Sequence, residues 1–386
     1  MPLEEPSWWY DEQPALRSSI ATTVLKPLAV LYGMAARRRF IAAKPYVSEL
    51  PVICIGNFTA GGTGKTPMAI HIAGLLQALG ERPAFLSRGF GGALAGPHWV
   101  EPGCDRTAQV GDEPLLLAEQ APALIARERM AGAKAIAAAA AAARDPAWRA
   151  SVIIMDDGLQ NPSLHKDLTI AMVDGRRGFG NGLVLPAGPL RAPLAFQLPL
   201  ADAIIINGAA QDPQIKQHPQ IDQGQQIDQD TPNNDGEVIA ERLRSQFNGP
   251  ILNAETIAGS DSAWLTKAPV VAFAGIGAPQ RFYRLLASLG ADVVETRSFK
   301  DHHSYSDGDA RILLNTAKAR AAQLVTTEKD LVRLSGDGPA MNALKSTSRA
   351  LPISLQLAPA GEQQLVTLLK SALRKTSPAK VRNAQT

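Results

Sequence analysis

The stretch NFTAGGTGKTP, residues 57–67, decides the fold class of this chain. An apolar run, PVICIGN (51–57), precedes it, and KTPMAIHIAGLLQALG (65–80) follows with apolar residues at helical spacing. A strand, a glycine-rich loop ending in Gly-Lys-Thr and a helix, in that order, predict a phosphate-binding loop, or P-loop. The strict pattern has a glycine five residues before Gly64, where this chain has Thr59, so a chance glycine-rich turn is the alternative.

The residues of this loop have separate expected roles. Backbone N–H groups and the N-terminus of the helix would hold phosphate oxygens, because both carry partial positive charge. Lys65 would reach the terminal phosphates of a nucleotide, and the hydroxyl of Thr66 would bind Mg²⁺. The predicted nucleotide-binding residues are Thr59, Ala60, Gly61, Gly62, Thr63, Gly64, Lys65 and Thr66.

The composition limits the class of protein. The chain has 386 residues, of which 45% are hydrophobic and 19% charged, and its formal net charge is +3. These values are typical of a globular enzyme rather than a disordered or strongly nucleic-acid-binding chain, and the length favours two domains. The two cysteines, Cys54 and Cys104, form neither a disulfide framework nor a metal motif, which favours a reducing compartment.

The order of apolar runs predicts an α/β protein. β-branched runs alternate with Ala- and Leu-rich helical stretches, which is the rhythm of a parallel sheet covered on both faces. A Gln/Asp-rich segment, 209–236, separates two such series and predicts a disordered insertion or linker. The expected fold is a P-loop NTPase-like parallel sheet covered by helices, with a second, smaller α/β domain. The predicted units are an N-terminal helical segment (1–45), a P-loop domain (46–208), the insertion (209–236), the second α/β domain (237–370) and a basic tail (371–386).

The N-terminal segment has two possible roles. No secretory signal is visible, and three arginines at 37–39 interrupt the apolar stretch before it reaches the ~20 apolar residues that a membrane span needs. Apolar residues at helical spacing suit either a helix packed on its own domain or one lying in a membrane interface. In the second case the aromatic residues at 8–10 would lie near lipid headgroups and the arginines near anionic lipid. The spaced residues are Leu16, Ile20, Val24, Leu28 and Leu31.

Two aspartates end a second apolar strand. In VIIMDDGLQ, Asp156 and Asp157 follow a hydrophobic run, as in a Walker B element that holds Mg²⁺ directly or through water. Paired aspartates after a strand also cap turns, which is the structural alternative. Beside a P-loop, the metal-binding interpretation is favoured.

Phosphoryl transfer also needs a group that accepts the proton of the attacking hydroxyl. QVGDEPLLLA places Asp112 and Glu113 before a predicted helix, and SFKDHHSYSDGD places Asp301, His302 and His303 after a strand of the second domain. Each segment has a structural alternative, an N-cap for the first and a surface loop for the second. Together they predict an Asp–His dyad that joins the two domains.

Eight blocks of sequence, taken in order, resemble the tetraacyldisaccharide 4'-kinase (lipid A 4'-kinase) family. The match runs from about residue 15 to about 335, and the blocks are GNFTAGGTGKTP, SRGFGG, GDEPLLLA, DDGLQ, GFGNGLVLPAGPLR, FAGIGAPQRFY, DHHSYSDGD and TTEKDLVRL. The resemblance implies ATP and Mg²⁺ as cofactors. It also implies phosphate transfer to the 4'-hydroxyl of a tetraacylated glucosamine disaccharide 1-phosphate, the lipid A disaccharide precursor.

The resemblance implies a place of action as well. The expected location is the cytosolic face of the inner membrane of a Gram-negative bacterium, because a substrate with four acyl chains stays in a bilayer. The resemblance makes the N-terminal segment (1–45) an interfacial helix that contacts the membrane surface, and residues 46–208 a P-loop kinase domain. No nucleic acid and no obligate protein partner are expected.

The resemblance also implies roles for single residues. Asp112 would be the catalytic base, with His302 as its partner, and Asp156, Asp157 and Gln160 would surround the metal and phosphates. Further positions near the substrate, nucleotide or catalytic pair are Arg88, Gly89, Glu113 and Asp301.

The chain departs from the family pattern in places. Ala192 stands where the family often has a glutamate after LPAGPLR, so any metal or structural role of that glutamate is absent or moved. The insertion at 209–236 and the tail after residue 370 look like local additions, and neither has an expected catalytic role.

Two rival functions use the same loop. A partner-activated P-loop ATPase of the partitioning or metal-insertion type would usually carry a signature lysine where this chain has Ala60. A membrane-bound nucleotide sensor would keep Lys65 and Thr66 but would need neither Asp112 nor His302.

Overall fold

The computed structural model describes residues 6–10, 16–145, 149–208, 235–259, 262–336 and 338–375. Its strands are β1 (Val52–Asn57), β2 (Pro83–Ser87), β3 (His98–Trp99), β4 (Ala123–Ile125), β5 (Val152–Asp156), β6 (Leu168–Asp174), β7 (Ala203–Asn207), β8 (Ile251–Ala258), β9 (Val270–Ala274), β10 (Val293–Ser298), β11 (Gln323–Thr327), β12 (Ser348–Leu351) and β13 (Ile353–Leu357). Its helices are α1 (Leu16–Ala42), α2 (Lys65–Ala78), α3 (Thr107–Val110), α4 (Asp112–Ala118), α5 (Arg129–Ala142), α6 (Leu194–Gln197), α7 (Asp235–Arg244), α8 (Pro279–Ser288), α9 (Asp307–Ala319), α10 (Glu328–Arg333), α11 (Pro339–Thr347) and α12 (Pro359–Lys375).

These strands form two sheets. The large sheet has nine strands in the order β13-β8-β7-β6-β1-β5-β2-β4-β3, and the small sheet has four in the order β10-β9-β11-β12. The small sheet is parallel throughout, and the large sheet is parallel except at its two edges, where β3 and β13 run antiparallel to their neighbours. The predicted α/β class, with a second, smaller α/β unit, is confirmed.

β1 lies inside the large sheet, and all six of its residues are buried. Successive side chains of a strand point to opposite faces of the sheet. Ile53 and Ile55 pack with α2 and α12 on one face, whereas Val52 and Cys54 pack with α5 on the other. The continuous apolar run of β1 therefore reflects burial on both faces, and this packing fixes the end of the strand from which the P-loop starts.

The boundary of the second unit differs from the predicted range 237–370. β8 and β13 pair with each other at the edge of the large sheet, and β8 also pairs with β7. The small sheet contains only β9 to β12, among the described strands. The chain leaves the large sheet after β8 and returns to it with β13, and apolar periodicity does not reveal such a return because it does not specify which sheet a strand joins.

Two other predicted segments fall partly outside the described residues. Of the predicted insertion, 209–234 lies outside them and 235–236 begins α7. Of the predicted basic tail, 371–375 completes α12 and 376–386 lies outside them.

Helix α1 has two apolar faces. One packs on the body, where Ala29 is buried, Gly33 lies against the ring of Pro193 and the Phe40 ring makes an edge contact with Phe196. The opposite face leaves large apolar side chains exposed. Those exposed by more than half are Ile20, Val24, Leu28, Val30, Leu31, Met34 and Ile41. In the described part of the chain, no helix combines the length and apolar character needed to cross a bilayer.

The expectation that Trp9 lies near lipid headgroups is wrong. Trp9 is only 7% exposed, and its carbonyl accepts a hydrogen bond from the Asn181 backbone at 2.7 Å. The neighbouring Tyr10 ring receives the guanidinium of Arg177 at 4.9 Å. The segment is therefore held against the loop after β6, and this packing buries the indole ring.

Candidate active site

The P-loop turns directly from β1 into α2. Gly64, the residue before α2, has a φ of 88°, in the left-handed region that favours glycine. A Cβ at this position would lie 2.6 Å from Nδ2 of Asn207, at the end of β7. At the other end of the loop, Asn57 Nδ2 donates to the Gly61 carbonyl at 3.2 Å. Glycine is thus required at position 64, and side chains at strand ends fix the shape of the loop.

The residue that breaks the strict motif, Thr59, pairs with a neighbouring segment. It forms an antiparallel bridge with Leu190 and is 6% exposed. The Ala60 N–H donates to the Pro189 carbonyl at 2.7 Å, and the Phe58 carbonyl accepts from the Arg191 N–H at 2.9 Å. The backbone here is extended, a conformation that needs no glycine. Segment 189–191 therefore braces the P-loop from outside.

Asp156 ends β5 beside β1 and is 1% exposed. Both of its carboxylate oxygens are buried and accept no hydrogen bond from the described residues. Burial, together with the charges of Glu113 and Asp157, raises the pKa of Asp156 to about 7. Two buried oxygens without donors are costly unless a cation approaches them, so Asp156 fits a hard cation such as Mg²⁺.

The residues around Asp156 suit a Mg²⁺ ion that is bound partly by protein and partly by nucleotide phosphates. No three His, Cys, Asp or Glu side chains of the described residues form a metal site by themselves. Mg²⁺ is commonly bound by one or two protein ligands together with phosphates and water. The buried Thr66, at the start of α2, supplies the hydroxyl expected for such a site.

Asp157 has a different environment from Asp156. Its carboxylate oxygens accept from Arg191 Nη1 at 2.9 and 3.0 Å, and one of them lies 3.8 Å from Lys65 Nζ. Burial would raise the pKa of Asp157, but the charges of Lys65 and Arg191 outweigh burial and hold it well below its usual range. Of the two predicted metal ligands, Asp156 has free oxygens, whereas Asp157 orders the cations around the P-loop.

Gln160 and Gln197 form a polar layer beneath the loop. Gln160 Nε2 donates to the Asn57 carbonyl at 2.7 Å and to Gln197 Oε1 at 2.6 Å. Gln197 Nε2 in turn donates to the carbonyl of Ala192 at 2.6 Å. Ala192, at the position of the family glutamate, is 1% exposed and takes part through its backbone. Gln160 thus supports the end of β1 through these hydrogen bonds.

The structure brings the predicted dyad together across the two sheets. Asp112 begins α4, and His302 lies in the loop after β10, with its Nδ1 3.4 Å from Asp112 Oδ2. Hydrogen bonding to Asp112 raises the pKa of His302. Burial would raise the pKa of Asp112, but His302, Arg333 and Lys329 outweigh it and hold that pKa well below the usual range. Asp112 is therefore an ionised acceptor at neutral pH.

Two cations of α10 meet two acids of α4. Arg333 Nε donates to Asp112 Oδ2 at 2.9 Å, and its Nη2 contacts the same oxygen. Lys329 Nζ donates to Glu113 Oε1 at 2.6 Å, and its charge is the main cause of the lowered pKa of Glu113. Residues four apart lie on one face of a helix, so both cations reach consecutive acids at once.

His302 lies between these charges. Its Nδ1 is also 3.3 Å from Arg333 Nη2. A ring nitrogen carries either a proton or a lone pair, so it cannot donate to Asp112 and accept from Arg333 together. The raised pKa of His302 favours an Nδ1–H directed at the carboxylate of Asp112.

The remaining predicted residues lie in the segment after β2 and beside His302. Arg88 is exposed after β2, and Gly89 follows it with a φ of 71°. The next residue, Phe90, lies with its ring 5.7 Å from the His302 ring. Asp301 is about half exposed, with Oδ2 4.0 Å from His302 Nε2. Phe90 and Asp301 therefore border the His302 ring, whereas Gly89 is buried against Ile125 and Val110.

Sequence reasoning missed three cations of the site. Arg191, Lys329 and Arg333 all lie in blocks that carried the family resemblance, yet none was given a role. The available signal was the spacing of Lys329 and Arg333, four residues apart just after a strand. Their partners lie more than 200 residues away, at Glu113 and Asp112.

A P-loop and a strand-end aspartate on a mostly parallel sheet place the chain in the class of P-loop nucleotide-binding proteins. The crystal structure of LpxK from Aquifex aeolicus in complex with ATP has a similar fold. The TM-score is 0.65 at 24% identity, and the match covers 91% of this chain and 99% of that one.

Sequence comparison defines the family. The model of the tetraacyldisaccharide-1-P 4'-kinase family matches residues 21–374. A tetraacyldisaccharide 4'-kinase of Methylobacterium sp. (strain 4-46) is 43% identical over 96% of this chain and 98% of its own length. Another, from Rhodopseudomonas palustris (strain BisB18), is 45% identical over 87% of each chain. The chain belongs to the tetraacyldisaccharide 4'-kinase family.

The shape of the P-loop can be tested without a ligand. Gly64→Ala forces a side chain into the left-handed region and against Asn207, so we expect it to lower the free energy of unfolding by about 1–2 kcal/mol or more. Gly62→Ala is the matched control, because a Cβ at Gly62 meets nothing within 4 Å, and we expect a change within about 0.5 kcal/mol. Chemical denaturation measures both. Equal losses for the two variants would contradict the assigned shape.

Proposed function

We propose that this chain transfers the γ-phosphate of ATP to the 4'-hydroxyl of a tetraacylated glucosamine disaccharide 1-phosphate, a step of lipid A biosynthesis. The observation that carries the proposal is the Asp112–His302 pair, held beside the P-loop by residues of both sheets. Family membership supports the acceptor. A P-loop alone supports only nucleotide binding. An ionised carboxylate paired with a histidine can in addition accept the hydrogen bond of an attacking hydroxyl.

The nucleotide would be bound by the carboxyl edge of the large sheet. Backbone N–H groups of the P-loop and the N-terminus of α2 would hold its phosphates, and Lys65 would reach the terminal ones. Asp156 and Thr66 would hold Mg²⁺, which neutralises charge on the transferred group. Arg191 orients Asp157 beside Lys65, so the lysine has a fixed counter-charge next to the phosphate site.

Asp112 would accept the hydrogen bond of the attacking hydroxyl. Its carboxylate stays ionised because the surrounding cations outweigh burial. In a loose phosphoryl-transfer transition state the proton leaves late, so the main task of such a residue is to orient the hydroxyl. His302, with its Nδ1–H on Asp112, stabilises the carboxylate in place and closes the site from the side of the small sheet.

The outward apolar face of α1 would bring the enzyme to its substrate. Val24, Leu31 and Ile41 are each more than 60% exposed and lie opposite the face that packs on the body. The arginines at 37–39 follow on the same helix and suit anionic headgroups. We place the protein at the inner-membrane surface facing the cytosol, as a peripheral protein without an obligate protein partner.

The rival functions make different demands. The family match, and Ala60 at the position of the signature lysine, do not favour a partner-activated ATPase. A nucleotide sensor would need the P-loop but not a buried carboxylate tied to a histidine of the other sheet. The dyad therefore separates kinase from sensor.

The first experiment measures phosphate transfer directly. Radiolabelled ATP and a lipid A disaccharide precursor in detergent micelles should give labelled lipid. Lys65→Ala and Thr66→Ala should each lower transfer by on the order of 10²-fold or more, because they remove charge stabilisation of the transferred phosphate. Absence of label on the lipid with the intact chain would refute the kinase proposal, and near-normal turnover by either variant would refute the P-loop assignment.

The dyad is tested by combining substitutions. Asp112→Ala and His302→Ala should each lower kcat by roughly 10²–10⁴-fold, with little change in ATP affinity. Residues that act as one unit are not additive, so the double variant should be little worse than the poorer single variant. His303→Ala, whose ring faces Asp309 instead, is the matched control and should keep most activity. A double defect equal to the product of the single ones would exclude a joint role.

The role of α1 is tested on its outward face. Replacing Val24, Leu31, Met34 and Ile41 with Ser should release the protein from anionic vesicles and raise KM for the lipid, because each buried CH₂ contributes ~0.8 kcal/mol to membrane binding. These side chains are exposed, so thermal unfolding should hardly change. Val294→Ser with Ile312→Ser, exposed on the small unit, serves as the control. Unchanged vesicle binding by the α1 variant would assign membrane contact to another surface.

A further inference from the structure

Helix α10 of the small unit carries a buried arginine, Arg333, that contacts Oδ2 of the proposed base, Asp112. Both Arg333 and Asp112 have side chains that are only about 5% exposed. The polar contacts of the Asp112 carboxylate within the described residues all go to Oδ2, from Arg333 Nε, Arg333 Nη2 and His302 Nδ1. Oδ1 is therefore the oxygen left to receive a hydroxyl.

Arg333 is itself anchored on its far side. Its Nη1 donates to the Gly275 carbonyl at 2.5 Å and to Asp330 Oδ1 at 3.0 Å. Asp330 is fully buried and also accepts from the Gly275 backbone, the Tyr305 hydroxyl and the Thr327 hydroxyl. The guanidinium is thus fixed in direction before it meets Asp112.

A guanidinium differs from an ammonium in such a place. Its donors lie in one plane at fixed angles. Nε and Nη2 of Arg333 can therefore both donate to one carboxylate while Nη1 donates to other acceptors. An ammonium is a point charge on a flexible stem and would supply the charge without the direction. The planar contact therefore sets the rotation of the Asp112 carboxyl group, not only its ionisation.

We propose that Arg333 is a positioning residue for phosphoryl transfer: it holds Oδ2 of Asp112 and so presents Oδ1 to the accepting hydroxyl. This inference rests on the proposed function of Asp112. Lys329, one helical turn earlier, supports the same arrangement by binding Glu113. The base of the large unit is in this way oriented by the small unit, and the site is complete only when α10 lies on α4.

The proposal predicts where the kinetic loss falls. Arg333→Lys keeps the positive charge but loses the planar pair of hydrogen bonds to Asp112. We therefore expect kcat to drop by roughly 10²-fold, the effect of misplacing a reacting group by about 1 Å. KM for ATP and for the lipid acceptor should change by less than about 3-fold, since Arg333 is placed to contact neither. Arg333→Gln, which removes the charge as well, should be more severe.

A double variant shows whether Arg333 acts through Asp112. In an Asp112→Ala background, Arg333→Lys should lower kcat by less than about 3-fold further, because the carboxylate that it orients is gone. A general structural role would lower kcat by the same factor in both backgrounds. Arg320→Lys is the matched control: Arg320 is 58% exposed, 3.5 Å from Glu295, and should leave kcat unchanged.

The experiment uses the full chain with radiolabelled ATP and the lipid acceptor in micelles, and thermal unfolding checks that each variant is folded. Should Arg333→Gln fail to fold, Arg333→Lys and its double variant decide the matter. A kcat of Arg333→Lys equal to that of the intact chain, or an equal loss in both backgrounds, would overturn the inference. If the intact chain transfers no phosphate to lipid, the proposed function fails instead, which is a separate outcome.

Discussion

The buried contact between Arg333 and Asp112 is the constraint on which the arrangement of the molecule depends. Moving two charges out of water costs several kcal/mol for each ion, and a buried pair of apolar residues often gives equal or greater stability. Such a pair is therefore a poor device for stability alone. Here its cost is offset by the anchoring of Arg333 on Gly275 and Asp330, and its effect is to keep a carboxylate ionised in a buried place.

The topology explains why this contact joins the two sheets. His302 follows β10 of the small sheet, and Asp330 and Arg333 follow β11, so all three lie at carboxyl ends of strands. The P-loop follows β1 of the large sheet, and Asp156 is the last residue of β5, so both lie at carboxyl ends of strands. Ligand sites of parallel sheets form at the carboxyl ends of their strands. In this protein two such edges face each other, so the P-loop and Asp112 of the large unit lie against the arginine and histidine that the small unit supplies.

Features of this site that depend on local sequence could be predicted, whereas contacts between residues far apart in the chain could not. The strand, P-loop and helix at 51–80 depend on local pattern, so Lys65 and Thr66 could be placed from sequence. Asp112 and His302 were predicted from residue type and the family resemblance, and the structure brings them together. Arg333 could not be assigned, because its partner lies across the other unit and a charged residue in a short helix usually faces solvent.

Other differences have the same origin. The return of the chain to the large sheet with β13 is a matter of tertiary pairing, which apolar periodicity does not encode. Trp9 was expected at a membrane because aromatic residues favour interfaces, but packing against the loop after β6 buries it. Thr59 looked like a defect of the motif until its pairing with Leu190 showed that the backbone there is extended.

Segment 189–191 also connects the P-loop to helix α1. Segment 189–191 pairs with the P-loop at Thr59, and Arg191 binds Asp157 beside Lys65. Two residues further on, Pro193 lies against Gly33 of α1. The helix proposed to meet the membrane is therefore only a few residues of packed chain away from the loop proposed to hold phosphate. If α1 lies on a bilayer as proposed, this connection would hold the transferable phosphate at a fixed height above the headgroups. An acceptor hydroxyl on a lipid headgroup needs that geometry, because its acyl chains prevent it from rising into solvent.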